Sequence, residues 1–309
     1  MQSMKYVRNE WMKLWSQKGT WVMLILLAAV IIGYGTIEKV YDTKNNTSET
    51  WRENVQENLN LYKSWAEEGD EGLDEEILKM EYQLENDISS GFVTTFSDMV
   101  GFGSAMLTLA TIFAVVVAAG IVSTEFGTGT IKMLLTRPVK RWKILLSKLV
   151  TVILYGFTLF AVGLALSALV GLILYGTSTS VELQVVDGVV KEMSPWSYIF
   201  EEMLLSFGDF FLSIIFAFLI GSLFKSSSLA VSVTLITMLA GSIIVGLLSR
   251  FSFTKYVWLA HSDLTQHMDG RAPVIEGTTL GFSIGVLIVY AIIFLAITFI
   301  PFEKRDVTA

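Results

Sequence analysis

The sequence lacks cysteine and is poor in charged residues, and both features narrow the class of protein. With no cysteine among 309 residues, the chain can form neither a disulfide bond nor a cysteine-ligated metal site. Only 17% of the residues are charged, whereas a soluble globular domain carries about 25%. The sequence also has no Gly-x-x-x-x-Gly-Lys-Ser/Thr run, which excludes a phosphate-binding loop of that type.

Histidine is scarce as well, and this limits catalytic and metal chemistry. The two histidines, His261 and His267, lie six positions apart, near Asp263 and Asp269. Such spacing is only a weak indication of a metal site. We find no nucleophile–base pair with a specific spacing. The sequence therefore does not favour an enzyme.

Long hydrophobic runs are the most abundant feature of the chain. The residues are 53% hydrophobic, and the mean hydropathy is +0.59. Five runs without a charge, of 19 to 33 residues, are each long enough to cross the hydrocarbon core, which takes about 20 helical residues. A sixth run is interrupted only by Asp209. Because the runs are continuous rather than alternating, they predict helices rather than a barrel. The predicted spans are residues 19–37, 99–122, 146–175, 203–224, 227–249 and 279–300.

The distribution of charge predicts which side of the membrane each segment occupies. Residues 38–98 carry 16 acids and five bases, whereas residues 1–20 carry four bases and one acid. Since positive charge is retained on the cytoplasmic side, we expect both termini in the cytoplasm and residues 38–98 outside. An acidic loop follows the third span. Because about 20 residues precede the first apolar run, we expect a retained signal-anchor rather than a cleaved signal peptide.

The N-terminal residues 4–18 have the periodicity of an amphipathic helix. Apolar side chains recur on one face and basic or polar side chains on the other, which is typical of a helix lying in the membrane interface. The alternative is an ordinary positively charged flank. The apolar face consists of Met4, Val7, Trp11, Leu14 and Trp15.

The acidic segment 38–98 contains two further helical patterns, separated by Gly69 and Gly72. Their spacing predicts a small helical hairpin. The whole sequence thus predicts an all-α integral membrane protein with six transmembrane helices, an N-terminal interfacial amphipathic helix and an extracellular helical hairpin insertion. The two apolar faces are Trp51, Val55, Tyr62 and Trp65, and Leu73, Ile77, Met80, Leu84 and Ile88.

Asp209 is the only acid inside a predicted span. Charges within hydrocarbon are costly and often functional, so Asp209 is a candidate for the translocation pathway. The alternative to a functional role is that Asp209, which lies about six residues from the outer start of its helix, reaches water or the headgroups.

Small residues in the third and sixth spans allow helices to approach closely, either within the chain or between two copies. They are Gly163, Ser167 and Gly171 in the third span, and Gly281 and Gly285 in the sixth.

The link between the second and third spans, residues 123–145, is basic and has a turn–helix–turn pattern. Gly127 and Gly129 allow a sharp turn, and Thr128 or Thr130 is able to cap a short helix. Pro138 ends that helix, because proline lacks an N–H group. We expect Glu125 to pair with a cation or to accept hydrogen bonds from backbone amides, since an unpaired acid there is unfavourable. The alternative for the whole link is a basic loop on anionic lipid.

This segment resembles the type-2 permeases of ABC transporters. In that family an acid-containing turn is followed by Gly-Thr-Ile/Leu-Lys-x-Leu-Leu, by a Pro-x-x-Arg turn and by a helix with an aliphatic run and a lysine. The arrangement of spans is also similar. The chain matches this order with Glu125, Gly129, Thr130, Ile131, Lys132, Leu134, Leu135, Pro138, Arg141, Ile144, Leu145 and Lys148.

The resemblance implies a permease subunit of an ATP-driven exporter in the cytoplasmic membrane of a bacterium. It implies a second permease copy, in a homodimer or heterodimer, and a separate ABC ATPase subunit that carries ATP and Mg. This chain would then bind no cofactor, and its partners would be those subunits and the lipid bilayer, with no nucleic acid. The implied ATPase-coupling residues are Glu125, Gly127, Gly129, Thr130, Lys132, Leu134, Leu135, Pro138 and Arg141.

Two other functional classes remain open at the level of sequence. One is a secondary transporter that uses Asp209 without an ATPase partner, although no internal repeat is evident. The other is a membrane sensor or assembly factor whose hairpin binds a partner. The cargo of a transporter is not specified by the sequence.

Overall fold

The computed structural model of the protein describes residues 2–45, 50–68, 72–128, 140–186, 188–224, 226–268, 271 and 273–304. These residues form α-helices, one two-stranded antiparallel sheet and short 3₁₀ turns between residues 252 and 267. The helices are α1 (Gln2–Trp15), α2 (Lys18–Asn45), α3 (Trp51–Glu67), α4 (Asp74–Asn86), α5 (Phe96–Ala105), α6 (Leu107–Gly127), α7 (Arg141–Tyr175), α8 (Pro195–Leu223), α9 (Ser227–Leu248) and α10 (Leu280–Lys304). The strands are β1 (Glu182–Val186) and β2 (Val189–Met193).

Within the part of the chain that the structure describes, five stretches of helix are long and apolar enough to cross a membrane. They are Lys18–Lys44, Phe96–Gly127, Arg141–Tyr175, Pro195–Leu223 and Leu280–Glu303. The predicted class, a helical multi-pass membrane protein, is confirmed. The remaining predicted span coincides with α9, in which the apolar stretch Ser227–Gly241 is shorter than the other five.

Several helices extend beyond the predicted spans. The first span was expected to end at residue 37, but α2 continues to Asn45. The fourth was expected to start at residue 203, but α8 begins at Pro195, a position that proline favours because its missing N–H is unpaired there in any helix. A run without charges marks only the part of a helix that is suited to the hydrocarbon core. The backbone hydrogen bonds of the helix continue beyond that run, so the helix is longer than the predicted span.

The second span consists of two helices that meet at Met106. α5 starts with a capping box, in which Thr95 accepts a hydrogen bond from the backbone of Asp98 and the Asp98 carboxylate accepts one from the backbone of Thr95, at 2.8 Å. Two N–H groups at the helix start are thereby satisfied. α6 then runs through the centre of the bundle, where it contacts α7, α8 and α9.

Small residues bring α6 and α8 close together. Ala119 on α6 is fully buried. On the facing helix, a Cβ atom added to Gly221 would lie only 2.4 Å from the backbone oxygen of Ala119. Only glycine allows this approach, so α6 and α8 pack backbone against backbone at that point.

The two ends of the bundle differ in what covers them. The amphipathic helix α1 lies against α7 at one end, here named the α1 end, where α6 stops and α7 starts. The helices α3 and α4 lie at the opposite end, with β1 and β2 next to α4. α3 and α4 were predicted from their apolar faces and pack through Trp51, Val55, Leu59 and Met80. Trp65, expected on that face, is 39% exposed.

The antiparallel sheet was not predicted. Residues 182–193 were expected to lie in an acidic loop between the third and fourth spans, but β1 pairs with β2 from Glu182 opposite Met193 to Val186 opposite Val189. Leu183 and Val185 are buried in β1, so the strand is held by its apolar side chains.

Candidate functional site

Four charged side chains meet at the α1 end and form what we call the Glu125 cluster: Glu10, Lys13, Glu125 and Lys148. Lys148 Nζ donates to Glu125 Oε1 at 2.7 Å and to Glu10 Oε2 at 2.9 Å. Lys13 Nζ donates to the same Glu125 Oε1 at 2.7 Å. Glu125 was expected either to pair with a cation or to accept hydrogen bonds from backbone amides, and the structure shows pairing with two cations.

Three helices position this cluster. Glu125 lies in the last turn of α6, Lys148 two turns into α7, and Glu10 and Lys13 one turn apart on a single face of α1, where side chains three positions apart are neighbours. α1 is held in place by other contacts as well. The Thr20 hydroxyl donates to the backbone oxygen of Leu14 at 2.7 Å.

Burial makes the electrostatics of the cluster strong. Glu125 is 3% exposed and Lys148 is 2% exposed, so each charge depends on its partner rather than on water. Burial alone would lower the pKa of Lys13. Its hydrogen bond to Glu125 and the negative charges of Glu125 and Glu10 outweigh burial, and the pKa of Lys13 is raised above its usual value.

The cluster anchors both ends of the predicted coupling segment. Glu125 and Arg141, two of the implied coupling residues, lie in the last turn of α6 and at the first position of α7. Gly127 was expected in a sharp turn but is the last residue of α6, because the helix continues beyond the apolar run. The other six implied coupling residues lie outside the described residues: Gly129, Thr130, Lys132, Leu134, Leu135 and Pro138.

Asp209 lies apart from this cluster, in the interior of α8. It was expected about six residues from the start of its helix, but α8 begins earlier, at Pro195, and Asp209 is accordingly several turns inside it. Ser213, one turn later on the same helix, donates a hydrogen bond to Asp209 Oδ1 at 2.9 Å. Among the described residues no cation forms an ion pair with Asp209.

The two histidines converge on one hydroxyl group. His261 Nδ1 and His267 Nε2 each lie 2.8 Å from Ser283 Oγ, and His261 Nε2 lies 2.8 Å from the backbone oxygen of Lys255. A carbonyl oxygen only accepts, so His261 Nε2 carries a proton. In neutral His261, Nδ1 then accepts from the Ser283 hydroxyl, and Ser283 accepts from His267 Nε2. The described residues contain no group of three or more metal-binding side chains.

The environment of His267 disfavours its charged form. Burial lowers the pKa of His267 below its usual value, and His261 lowers it further, although Asp263 acts in the opposite direction. Asp269, the other acid close to the histidines in sequence, lies outside the described residues. Nothing in the sequence pattern indicated Ser283, since serine is common in apolar spans.

The small residues predicted as packing sites divide into two groups. A Cβ atom on Gly171 would lie 2.9 Å from Met99 Cβ, and Ser167 donates to the backbone oxygen of Met99, so these residues pack within the chain. In contrast, Cβ atoms on Gly281 and Gly285 would have nothing within 4 Å among the described residues.

Comparison with known protein families identifies the family of this chain. The family described as "Protein of unknown function (DUF2705)" matches residues 70–308. The chain belongs to this family. α4 to α10 lie within the matched residues, and so do Glu125 and Lys148.

Two relatives from Bacillus subtilis (strain 168) are similar over most of their length. The chain is 34% identical to "Uncharacterized protein YhcI", over 97% of this chain and 98% of that protein. It is also 34% identical to "Uncharacterized membrane protein YdbK", over 71% of this chain and 87% of that protein. The description of the second relative agrees with the five membrane-crossing stretches found here.

Replacing Lys148 with methionine tests the strength of the cluster. Lys148→Met leaves Glu10 and Glu125 without their shared partner, and loss of one member of a buried ion pair costs about 3–5 kcal/mol of the free energy of unfolding. Lys63→Met is the matched control. Lys63 and Glu81 form an ion pair at 2.6 Å, and their side chains are 47% and 42% exposed. An exposed pair of this kind contributes about 0–1 kcal/mol to the free energy of unfolding. Thermal unfolding in detergent measures both. Equal losses in the two variants would contradict the assignment.

The lowered pKa of His267 predicts a dependence of stability on pH. Between that lowered pKa and about 6.5, the unfolded chain binds more protons than the folded chain. The stabilisation is therefore present above pH ~6.5 and is lost as the pH falls below it. We expect His267→Gln to reduce the drop in melting temperature between pH 7.5 and 5.5, and Asn60→Gln on α3 to leave it unchanged. Superimposable pH profiles for the wild type and His267→Gln would show that His267 contributes nothing.

Proposed function

We propose that the protein is a permease subunit of an ATP-binding cassette exporter that works with a second permease copy and a separate ATPase subunit. The proposal rests on the Glu125 cluster and on the sequence motif between the end of α6 and the start of α7, which the cluster joins. Lys13, Glu125 and Lys148 tie three helices together at the two ends of the segment that resembles the coupling segment of type-2 ABC permeases.

The cluster supports a mechanism in which force enters at residues 129–139. ATP and Mg would bind to the partner subunit, and closure of the ATPase pair would push on this segment. Because Glu125 and Lys148 join the end of α6 to the start of α7, the two helices would move together. α6 also packs on α8 through Gly221, so the displacement would reach the centre of the bundle and change its access from one side of the membrane to the other.

The proposal includes six spans, with α9 as the fifth. Exposed apolar side chains run along α9, as expected for a helix that faces lipid or another membrane subunit. The termini are assigned to the cytoplasm of a bacterium and the α3–α4 pair to the external side, in agreement with the acidic composition of residues 38–98. The exposed side chains on α9 include Ile236, Leu239, Ile243 and Leu247.

A secondary transporter is the second candidate function, favoured by one observation. Asp209 lies inside α8 with only the Ser213 hydroxyl as a hydrogen-bond donor among the described residues, and acids in such places often bind a substrate or a proton. This candidate requires transport without an ATPase subunit. Loss of transport in Asp209→Asn together with full activity in the absence of ATP would favour it over the exporter. A membrane sensor or assembly factor would instead show no transport at all.

A single engineered cysteine tests the topology. Asn60 is exposed on α3, and the natural chain has no cysteine, so Asn60→Cys creates a unique reactive thiol. We expect this thiol to react with a membrane-impermeant maleimide on intact cells. The same substitution at Gln17, next to α1 and exposed, is the control and should react only after lysis. The reverse pattern would invert the proposed orientation.

The coupling role is tested in the complex purified from native membranes in mild detergent. We expect an ATPase subunit to co-purify with the chain, and Pro138→Ala and Glu125→Ala to lower ATP hydrolysis by the reconstituted complex about tenfold, equivalent to ~1.4 kcal/mol. Asp187→Ala, in the segment between β1 and β2, is the control and should leave hydrolysis unchanged. Co-purification checks assembly, and Pro138→Ala decides the matter if Glu125→Ala does not fold. Absence of an ATPase subunit, or normal hydrolysis in the assembled Pro138→Ala complex, would contradict the proposal.

A further inference from the structure

A cavity of about 380 Å³ lies beside the Glu125 cluster, between α1, α2, α6 and the start of α9. Its volume is at the small end of the range for ligand pockets. One side carries the charged groups Glu10, Lys13 and Glu125. The other side is apolar and is lined by Leu14, Met23, Val116, Val117 and Ile121. The cavity is therefore amphiphilic.

Glu125, which lines the charged side of the cavity, has an unused hydrogen-bond acceptor. Glu125 Oε1 accepts hydrogen bonds from both Lys13 and Lys148. The second oxygen, Glu125 Oε2, is buried and has no hydrogen-bond partner among the described residues. A buried carboxylate oxygen without a donor is unfavourable. A ligand in the cavity that donates to Oε2 would remove this penalty, and a charged donor such as an ammonium group makes a stronger hydrogen bond to a carboxylate than a neutral donor does.

Charge balance selects a zwitterion over a simple cation or anion. The cluster has two carboxylates and two ammonium groups, so its net charge is zero. A lone cation would leave one positive charge uncompensated in a buried site, and a lone anion would face Glu10 and Glu125. The Lys13 ammonium has three N–H groups, and its side chain is 53% exposed, so it is able to contact a phosphate while it remains paired with Glu125.

We propose that this cavity binds the phosphoethanolamine headgroup of a membrane lipid, with its ammonium on Glu125 Oε2 and its phosphate on Lys13. The acyl chains would lie on the apolar surface that continues along α2 from Met23, where Leu26 and Val30 are 50% and 42% exposed. The lipid would join α1 to α2 and α6. This site belongs to the single chain and does not depend on the proposed ATPase partner.

The test uses the purified full-length chain in detergent, titrated with three probes. These are a phosphatidylethanolamine, a phosphatidylglycerol with the same acyl chains, and soluble O-phosphoethanolamine. The readout is the melting temperature followed by tryptophan fluorescence, since a ligand that binds only the folded state raises it. We expect phosphatidylethanolamine to raise the melting temperature at concentrations where the other two probes have little effect.

Two variants of the cavity and one control locate the binding. Glu125→Gln removes the charge that holds the ammonium. Gly120→Leu fills the cavity without changing any charge, because Gly120 lines it and an added Cβ would lie 3.4 Å from Ser227 Oγ, an ordinary contact. Gly33→Leu on α2, where an added Cβ has nothing within 4 Å, is the control. We expect the affinity for phosphatidylethanolamine to fall about tenfold or more in the first two variants, and to stay unchanged in Gly33→Leu.

Each contrary result overturns a stated part of the proposal. Equal stabilisation by phosphatidylglycerol would show that the ammonium is not recognised. Equally tight binding of O-phosphoethanolamine would assign the site to a free metabolite rather than a lipid. An unchanged response in Gly120→Leu would place the lipid elsewhere, and this variant gives the answer even if Glu125→Gln fails to fold.

Discussion

The ion pair between Glu125 and Lys148 is the interaction on which the α1 end of the protein depends. Neither side chain is exposed to more than a trace of water, so each charge is tolerable only because the other is within 2.7 Å. Glu10 then accepts a second hydrogen bond from Lys148, and Lys13 donates a second one to Glu125 Oε1. An amphipathic helix that would otherwise rest on the membrane surface is thereby fixed, by charge, to the helices before and after residues 129–139.

The centre of the bundle is held by shape rather than by charge. Ala119 on α6 and Gly221 on α8 remove the side-chain volume that would separate the two helices, and van der Waals contact between backbones is the main attraction available in lipid. Such an interface has little freedom to adjust, since closely packed interiors switch between arrangements rather than deform smoothly. Rigid contact here and ionic contact at the α1 end together make α6 the element that connects the two regions.

The parts of the structure that sequence predicted are those encoded by neighbouring residues. Apolar runs indicated the positions of the spans, and periodic apolar faces indicated α1, α3 and α4. The helix ends at Asn45 and Pro195 were missed because hydrophobicity does not mark where backbone hydrogen bonding stops. The β1–β2 pair was missed because the acids in that segment hid the short apolar alternation of β1.

The candidate site was predicted only in outline for a similar reason. Glu125 was expected to pair with a cation, but Lys13 and Lys148 are distant from it in sequence and became its partners only through folding. Ser283 drew no attention because its role comes from the two imidazoles beside it. The resemblance to ABC permeases rests on a local motif, most of which lies outside the described residues, and it stays a prediction.

The α3–α4 pair has a consequence for how movement could be observed. Its own core is small, with four buried apolar side chains, and it gains further support from its neighbours. Tyr82 on α4 donates to Glu192 on β2 at 3.0 Å, and Ser90 donates to the backbone oxygen of Val181. Because β1 and β2 lie between the end of α7 and the start of α8 in the chain, a tilt of those two helices would be passed through these contacts to α3 and α4. A spectroscopic label on the exposed side of α3 would therefore report movement of α7 and α8.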